Sequence, residues 1–156
     1  MIETDKKLIL LHLKADSREE VIRMLCGALE RKGYVGSAYC GEVLAREREY
    51  PTGLPSEGAV TAIPHALSRD VMKTGVAVGV LETPVAFYNI SDYEEELQAE
   101  VVFLLANASD SEGHLDTLQE LMDCMSRPEM LKEVKNAVSP EQAAEILRNA
   151  DSYPEE

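Results

Sequence analysis

The chain has 156 residues, of which 45% are hydrophobic, and this amount of apolar material predicts one domain with a single sizeable core. Its 15 lysines and arginines are outnumbered by 29 acidic residues, so the net charge of −14 opposes binding to nucleic acids and anionic membranes. Cys26, Cys40 and Cys124 form no close pair, which argues against a disulfide framework or a tetrahedral metal site. Because the N-terminal apolar stretch is also too short for a signal peptide or a membrane-spanning helix, we expect a cytoplasmic protein without membrane insertion.

The chain is predicted to begin with one strand and two helices. Residues 8–13 are short and apolar and predict the strand, and an S-x-x-E capping box at 17–20 opens an amphipathic helix that ends near Gly33. Ser37 is expected to cap a second helix that continues to about Arg48. Its charged residues are expected mostly on the outer face: Glu42, Arg46, Glu47, Arg48 and Glu49.

An irregular segment follows at residues 50–65, where three prolines and two glycines exclude a regular helix. We expect a shaped loop around a very short strand at residues 60–63. Long ordered loops in compact domains are often functional, so this segment is a candidate for the site.

The sheet is predicted to take its main strands from the middle of the chain. Residues 76–81 and 85–90 are apolar and are expected to form a hairpin or a tight corner around residues 82–84. An acidic turn at 92–96 then precedes residues 99–106, which carry the strongest buried-strand pattern and are expected in the middle of the sheet.

Three helices are predicted to complete the domain. The first ends before Pro128, the second runs from about Pro128 to Asn136, and the third begins at Ser139 as N-cap. We expect residues 1–150 to form the domain and residues 151–156 to fray. The order of elements predicts an α/β fold, in which a sheet of mixed direction is sandwiched by helices.

Two of the 3 histidines are placed where chemistry is plausible. His65 follows Pro64 at the exit of the short strand, and His114 lies near the start of the helix after the central strand. Both could face one cleft, where an imidazole nitrogen can attack phosphorus and a second imidazole can donate to the phosphoryl oxygens. The alternatives are a surface or capping histidine at 65 and a polar first-turn residue at 114. A packed or edge position is the expected role of His12.

Arg46 and Arg48 are the cations nearest to the irregular segment. Either could form ordinary ion pairs on its helix, or turn toward a cleft and stabilise the charge of a transferring phosphoryl group. His65 and His114 could also ligate zinc, but no cysteine or third histidine stands at ligand spacing, so we expect no metal site.

Three motifs in order resemble the enzyme IIA domains of the fructose–mannitol class in the bacterial phosphoenolpyruvate-dependent sugar phosphotransferase system. They are Ala-Arg-Glu-Arg-Glu-Tyr-Pro-Thr-Gly-Leu at 45–54, Ala-Ile-Pro-His-Ala at 62–66 and Glu-Gly-His-Leu at 112–115. The resemblance implies a single-domain three-layer α/β/α sandwich with a mixed central sheet. Within the class, residues 50–54 and 84–89 are most similar to the galactitol-type branch, whereas residues 55–61 depart from the shorter loop of mannitol-type members.

The resemblance also implies roles for individual residues. His65 is expected to accept a phosphoryl group from the histidine phosphocarrier protein and to pass it to a cysteine of an enzyme IIB subunit, with the membrane component IIC served indirectly. Arg46 matches the active-site arginine of the family, with Arg48 as the alternative. His114 matches the second active-site histidine, and Thr52 is expected to give a hydrogen bond to the phosphoryl group. No cofactor is implied.

Two other functions stay open at this stage. The first is a regulatory domain in which phosphorylation of His65 controls binding to a target protein. The second is a catalytically silent interaction domain, which the joint presence of Arg46, His65 and His114 disfavours. Because no DNA-binding segment is recognisable, a stand-alone carrier for the uptake of galactitol or a related polyol or sugar is favoured.

Overall fold

The structure, a computed structural model, describes residues 4–108 and 111–156, without the side chains of residues 111–115. Five strands and five α-helices form within these residues. In chain order they are β1 (Ile9–Leu13), α1 (Arg18–Arg31), α2 (Tyr39–Glu49), β2 (Gly53–Leu54), β3 (Thr61–Ala62), β4 (Gly75–Asn89), β5 (Asp92–Ala106), α3 (Ser111–Met125), α4 (Pro128–Lys135) and α5 (Pro140–Arg148).

The strands form one sheet of mixed direction. β4 and β5 are antiparallel along most of their length, β1 is parallel to β4, and β3 is parallel to β5. β2 pairs with β3 and with the end of β4. Since β5 pairs with both β4 and β3, the predicted place of residues 99–106 in the middle of the sheet is confirmed.

Alternation of side chains along the strands gives the sheet two buried faces. Val101, Phe103 and Leu105 belong to a core shared with α3, α4 and α5, whereas Val102 and Leu104 belong to a core shared with α1 and α2. Helices therefore cover both faces, and the predicted three-layer α/β/α sandwich is confirmed.

Several helix ends form as the sequence predicts. The Ser17 hydroxyl accepts a hydrogen bond from the Glu20 N–H, and Gly33 after α1 takes a left-handed φ of 78°. Ser139 caps α5 in the same way by accepting from the Gln142 N–H. Among the described residues, no helix is both long enough and apolar enough to cross a membrane.

Two expectations about local structure are wrong. The chain does not turn back at residues 82–84 but continues through them as part of β4. The pairing with β5 skips this exposed segment, so Pro84 is tolerated there because it does not have to donate a hydrogen bond to the neighbouring strand. The hairpin instead joins β4 to β5, and the acidic residues predicted as a turn form the exposed start of β5. Ser37 does not cap α2 either, since the N-cap is Ala38, whose N–H donates to the Asp70 carboxylate.

The C-terminal residues make contacts with the rest of the domain. Arg127 donates to the Tyr153 carbonyl and, at 3.1 Å, to the Glu155 carboxylate. The Tyr153 hydroxyl donates to Glu133, and the Glu156 N–H donates to the Ser126 carbonyl. These bonds hold residues 151–156 against the domain in the structure, whereas fraying of the segment in solution stays a prediction.

Candidate functional site

His65 lies just after β3, beside the C-terminal end of β5. Its backbone pairs with Leu105 in a parallel bridge, and the Leu105 N–H donates to the Pro64 carbonyl at 3.0 Å. Ile63 and Pro64 are buried, while His65 itself is half-buried. The sheet therefore fixes the backbone around a histidine whose side chain reaches the surface, at the strand end where ligands collect in open α/β sheets.

The imidazole of His65 is oriented by a neighbouring carbonyl. Its Nδ1 atom lies 2.7 Å from the carbonyl oxygen of Ile63. Because a carbonyl oxygen can only accept, this contact assigns the proton of the neutral ring to Nδ1 and the lone pair to Nε2. Nε2 is therefore the nucleophilic nitrogen in this geometry.

His65 and Arg46 line one open cleft of about 600 Å³. The guanidinium carbon of Arg46 lies 4.1 Å from the centre of the Tyr50 ring, which supports the side chain by a cation–π contact. The structure thus brings these two predicted residues together. The other lining residues are Glu42, Ala45, Glu49, Ala66, Leu67 and Leu118.

The other predicted arginine lies elsewhere. Arg48 is not among the residues that line this cleft, and it acts electrostatically on Glu19 of α1. The geometry therefore favours Arg46 over Arg48 as the cation that serves His65.

Thr52, predicted to contact the phosphoryl group, is buried behind the cleft. Its hydroxyl donates to Glu47 Oε1 at 2.8 Å, and its N–H donates to Glu47 Oε2 at 2.8 Å. The same hydroxyl accepts a hydrogen bond from the Ile63 N–H at 3.2 Å. In the structure Thr52 therefore contacts the backbone that carries His65, and its direct contact with a phosphoryl group stays a prediction.

Glu47 is the main residue of the site that sequence analysis placed wrongly. It was expected on the outer face of α2, but only 2% of its surface is exposed. Burial raises its pKa to about 7, although the two hydrogen bonds from Thr52 and the nearby Arg18 work in the opposite direction. Such a carboxyl group changes charge near neutral pH.

Tyr39 is a second residue that sequence analysis missed. Its buried hydroxyl donates to the Leu105 carbonyl at 2.6 Å and accepts from the Ala66 N–H at 3.4 Å. It thus holds the residue after His65 against the end of β5. Tyr39, Val43 and Glu47 recur every four residues and are the buried residues of α2, so helical spacing could have revealed both polar members.

His114 belongs to α3, but its side chain lies outside the described residues, so its predicted role is not tested by the geometry. His12 lies in β1 with a left-handed φ of 52° and is exposed. Within the described part of the chain, no group of three or more His, Cys, Asp or Glu side chains is arranged to hold a metal ion.

Comparison with known proteins identifies relatives along most of the chain. A family model described as "Phosphoenolpyruvate-dependent sugar phosphotransferase system, EIIA 2" matches residues 4–150. The Multiphosphoryl transfer protein of Escherichia coli O157:H7 is 31% identical over 138 residues, which are 86% of this chain and 34% of that protein. The chain thus spans about one third of the length of this relative.

Two shorter proteins match over more of their own length. The Nitrogen regulatory protein of Escherichia coli K12 is 31% identical over 118 residues, which are 73% of this chain and 67% of that protein. The crystal structure of IIA mannitol from Escherichia coli superposes with a TM-score of 0.75 at 26% identity, covering 94% of this chain and 99% of that one. The α/β fold of this chain, with its mixed five-stranded sheet, therefore matches the fold of a solved mannitol-type enzyme IIA.

Proposed function

Because the chain belongs to the EIIA type 2 family of the phosphoenolpyruvate-dependent sugar phosphotransferase system, we propose that it carries a phosphoryl group on His65. The donor is the histidine phosphocarrier protein and the acceptor is a cysteine of an enzyme IIB subunit. The observation that carries this proposal is the cleft in which Arg46 lies with a histidine whose Nδ1 is bound to a carbonyl.

The geometry suits an in-line transfer between two imidazoles. The Nε2 lone pair of His65 attacks the phosphorus of the donor's phosphohistidine, a new N–P bond forms, and the electron pair of the broken bond returns to the donor ring. Nδ1 keeps its proton, and the Ile63 carbonyl stabilises the positive charge that the phosphorylated ring acquires. Arg46 supplies positive charge to the transferring oxygens. A cysteine thiolate of IIB completes the relay: it attacks the same phosphorus, an S–P bond forms, and the electron pair of the broken N–P bond returns to Nε2 of His65.

The surface around the cleft supports transient docking of protein partners. Leu67 lines the cleft and is 65% exposed, and Tyr50 at the base of Arg46 is 42% exposed. These residues offer a small apolar centre, and the net charge of −14 attracts a basic partner through complementary fields. Met72, which follows the same segment, is also exposed, at 58%.

For the sugar, we propose galactitol or a related polyol or sugar. The support is the sequence of residues 50–54 and 84–89, which is similar to the galactitol-type branch. Reconstitution with IIB and IIC proteins tests this proposal, because only the cognate sugar drains the phosphoryl group from the labelled carrier. Rapid loss of label with fructose or mannitol, and none with galactitol, would contradict it.

A regulatory role is the second candidate function. The observation in its favour is the match to a Nitrogen regulatory protein, which extends over 67% of that protein's length. In this case phosphorylation of His65 changes affinity for a target protein, and the phosphoryl group is not passed on to a IIB cysteine.

The test is incubation of the purified protein with labelled phosphoenolpyruvate, the first enzyme of the system and the phosphocarrier protein. We expect an acid-labile, base-stable label on the wild type and none on His65→Ala. His114→Ala should accept the label but pass it to IIB more slowly. A wild type that takes no label would refute the carrier function, and a labelled protein that never releases its phosphoryl group to IIB would favour regulation.

A further inference from the structure

The last turn of α2 carries two neighbouring side chains with different surroundings. Arg46 lines the cleft, whereas Glu47 is buried and does not line it. Any contact that fixes the backbone of this turn therefore also fixes the origin of the Arg46 side chain. Glu47 is hydrogen-bonded to Thr52, and Thr52 is bonded in turn to the backbone two residues before His65.

Two sets of hydrogen bonds, joined by the backbone of Ile63, connect Glu47 with the His65 ring. Both carboxyl oxygens of Glu47 accept from Thr52, once from its hydroxyl and once from its N–H, each at 2.8 Å. The Thr52 hydroxyl and carbonyl both accept from the Ile63 N–H, at 3.2 Å and 3.3 Å. The carbonyl of the same Ile63 accepts from His65 Nδ1 at 2.7 Å.

From this arrangement we propose that Glu47 and Thr52 are positioning residues that set the tautomer of His65 and its place relative to Arg46. The inference rests on the proposed function of His65 as phosphoryl acceptor. This role requires no contact between either residue and the transferred group, because both are buried and bonded to each other. They act through the backbone of Ile63, whose N–H they hold and whose carbonyl, in the following peptide unit, must face Nδ1 for the lone pair to be on Nε2.

The site needs such a device because α2 and the segment after β3 are separate elements. Arg46 belongs to the helix, and His65 belongs to a segment whose own sheet pairing is short, since β3 has only 2 residues. A two-point contact between a carboxyl group and Thr52 restrains both the distance and the angle between them. Misplacement of reacting groups by about 1 Å can cost roughly 100-fold in rate, so this restraint bears directly on transfer.

Thr52→Val is the first test, because the valine side chain keeps the shape of threonine but can neither donate to Glu47 nor accept from Ile63, and only the backbone bonds of residue 52 remain. Thr52→Ser is the matched control, since serine restores the hydroxyl. Glu47→Met is a second variant, in which an apolar side chain of similar length can accept neither hydrogen bond from Thr52.

Two readouts separate positioning from simple stabilisation. The first is the tautomer of the His65 ring by ¹⁵N NMR, which is tractable because the chain has only 3 histidines and His65→Ala assigns the signal. The second is the rate of phosphorylation by the phosphocarrier protein, resolved into kcat and KM. We expect wild-type His65 to carry its proton on Nδ1 and Thr52→Val to show a mixture of tautomers.

We also expect Thr52→Val to lower kcat by about 10- to 100-fold with KM within twofold, because the docking surface is untouched. Thr52→Ser should restore the Nδ1–H tautomer and most of the rate, and Glu47→Met should change both readouts in the direction of Thr52→Val. A folded Thr52→Val protein with the wild-type tautomer and rate would overturn the inference. If Thr52→Val does not fold, the same wild-type result in Glu47→Met overturns it.

Failure of the carrier function gives a different result. In that case the wild type takes no label, while the tautomer measurement on the wild type and both variants still decides whether Glu47 and Thr52 position the ring.

Discussion

Replacement of Glu47 by glutamine should change how stability depends on pH. The pKa of Glu47 is raised from 4.5 to about 7, with burial as the largest cause. In the unfolded chain this group loses its proton near 4.5, but in the folded protein it keeps the proton until about pH 7. Folding therefore favours the protonated form, and stability falls as the pH rises through this window.

The size of the effect follows from the shift. Each pH unit inside the window costs about 1.4 kcal/mol, so the folded state loses about 3 kcal/mol between pH 4.5 and pH 7 through this one group. Glu47→Gln removes the titration but keeps the volume of the side chain. The free energy of unfolding of the wild type, minus that of Glu47→Gln, should thus fall from pH 5 to pH 7 and level off above it.

Urea unfolding of both proteins at half-unit steps between pH 5 and pH 8 measures this difference directly. Groups other than Glu47 titrate in both proteins, so their contributions largely cancel in the subtraction. The neighbours that act electrostatically on Glu47 are Arg18 and Glu19, and both are present in the variant. A difference that stays flat, or that rises with pH, would refute the assignment of Glu47 as a buried carboxyl with a raised pKa.

Two further predictions use matched pairs on the same elements. Arg46→Gln should slow phosphorylation of His65 by about 100- to 1,000-fold, which is the typical effect of losing one group that stabilises transition-state charge. Arg48→Gln on the same helix is the control, and its rate of phosphorylation by the phosphocarrier protein should stay within about twofold of the wild type. Equal loss in both variants would remove the distinction between them. Gly53→Ala should destabilise the fold by about 1–3 kcal/mol, because its Cβ would lie 2.5 Å from the Tyr88 carbonyl oxygen, and thermal or urea unfolding measures the change. Gly41→Ala is the control, because nothing lies within 4 Å of the new methyl group, and it should leave the free energy of unfolding unchanged or raise it. A Gly53→Ala protein as stable as this control would show that β2 can move away from β4 at little cost in stability.

The sequence predicts best those elements whose signals are local. The cap at Ser17, the left-handed Gly33 and the cap at Ser139 all depend on residues within one helical turn, and all three form. The strand at 82–84 was missed because its continuity depends on a distant partner. Pro84 and the acidic segment 92–96 disfavour strands on their own. The 15-residue strand β4 nevertheless includes Pro84 where its pairing with β5 is skipped, and the 15-residue strand β5 includes the acidic segment where it is exposed.

In the candidate site, too, residues with a local sequence signal were predicted and residues that depend on distant contacts were not. His65 and Arg46 were predicted to meet from their motifs, and they line one cleft. Glu47 was misplaced because a charged residue in a helix is normally solvated, and only the position of Thr52, five residues later, provides the donors that make its burial possible. This pairing depends on how the loop after α2 folds back, which no local pattern in the sequence specifies.

The parallel pairing of β3 with β5 determines when, during synthesis of the chain, the segment that carries His65 can reach its folded position. Thr61 and Ala62 pair with Val101 and Val102, and His65 pairs with Leu105, so the acceptor segment finds its partner about 40 residues further along the chain. During synthesis from the N-terminus, residues 61–65 emerge well before β5 does. Contacts of such long sequence separation form late in folding, because the loop between them must close first. Competence to accept a phosphoryl group should therefore arise only after β5 has been added, and a nascent chain that ends before residue 101 should take none from the donor.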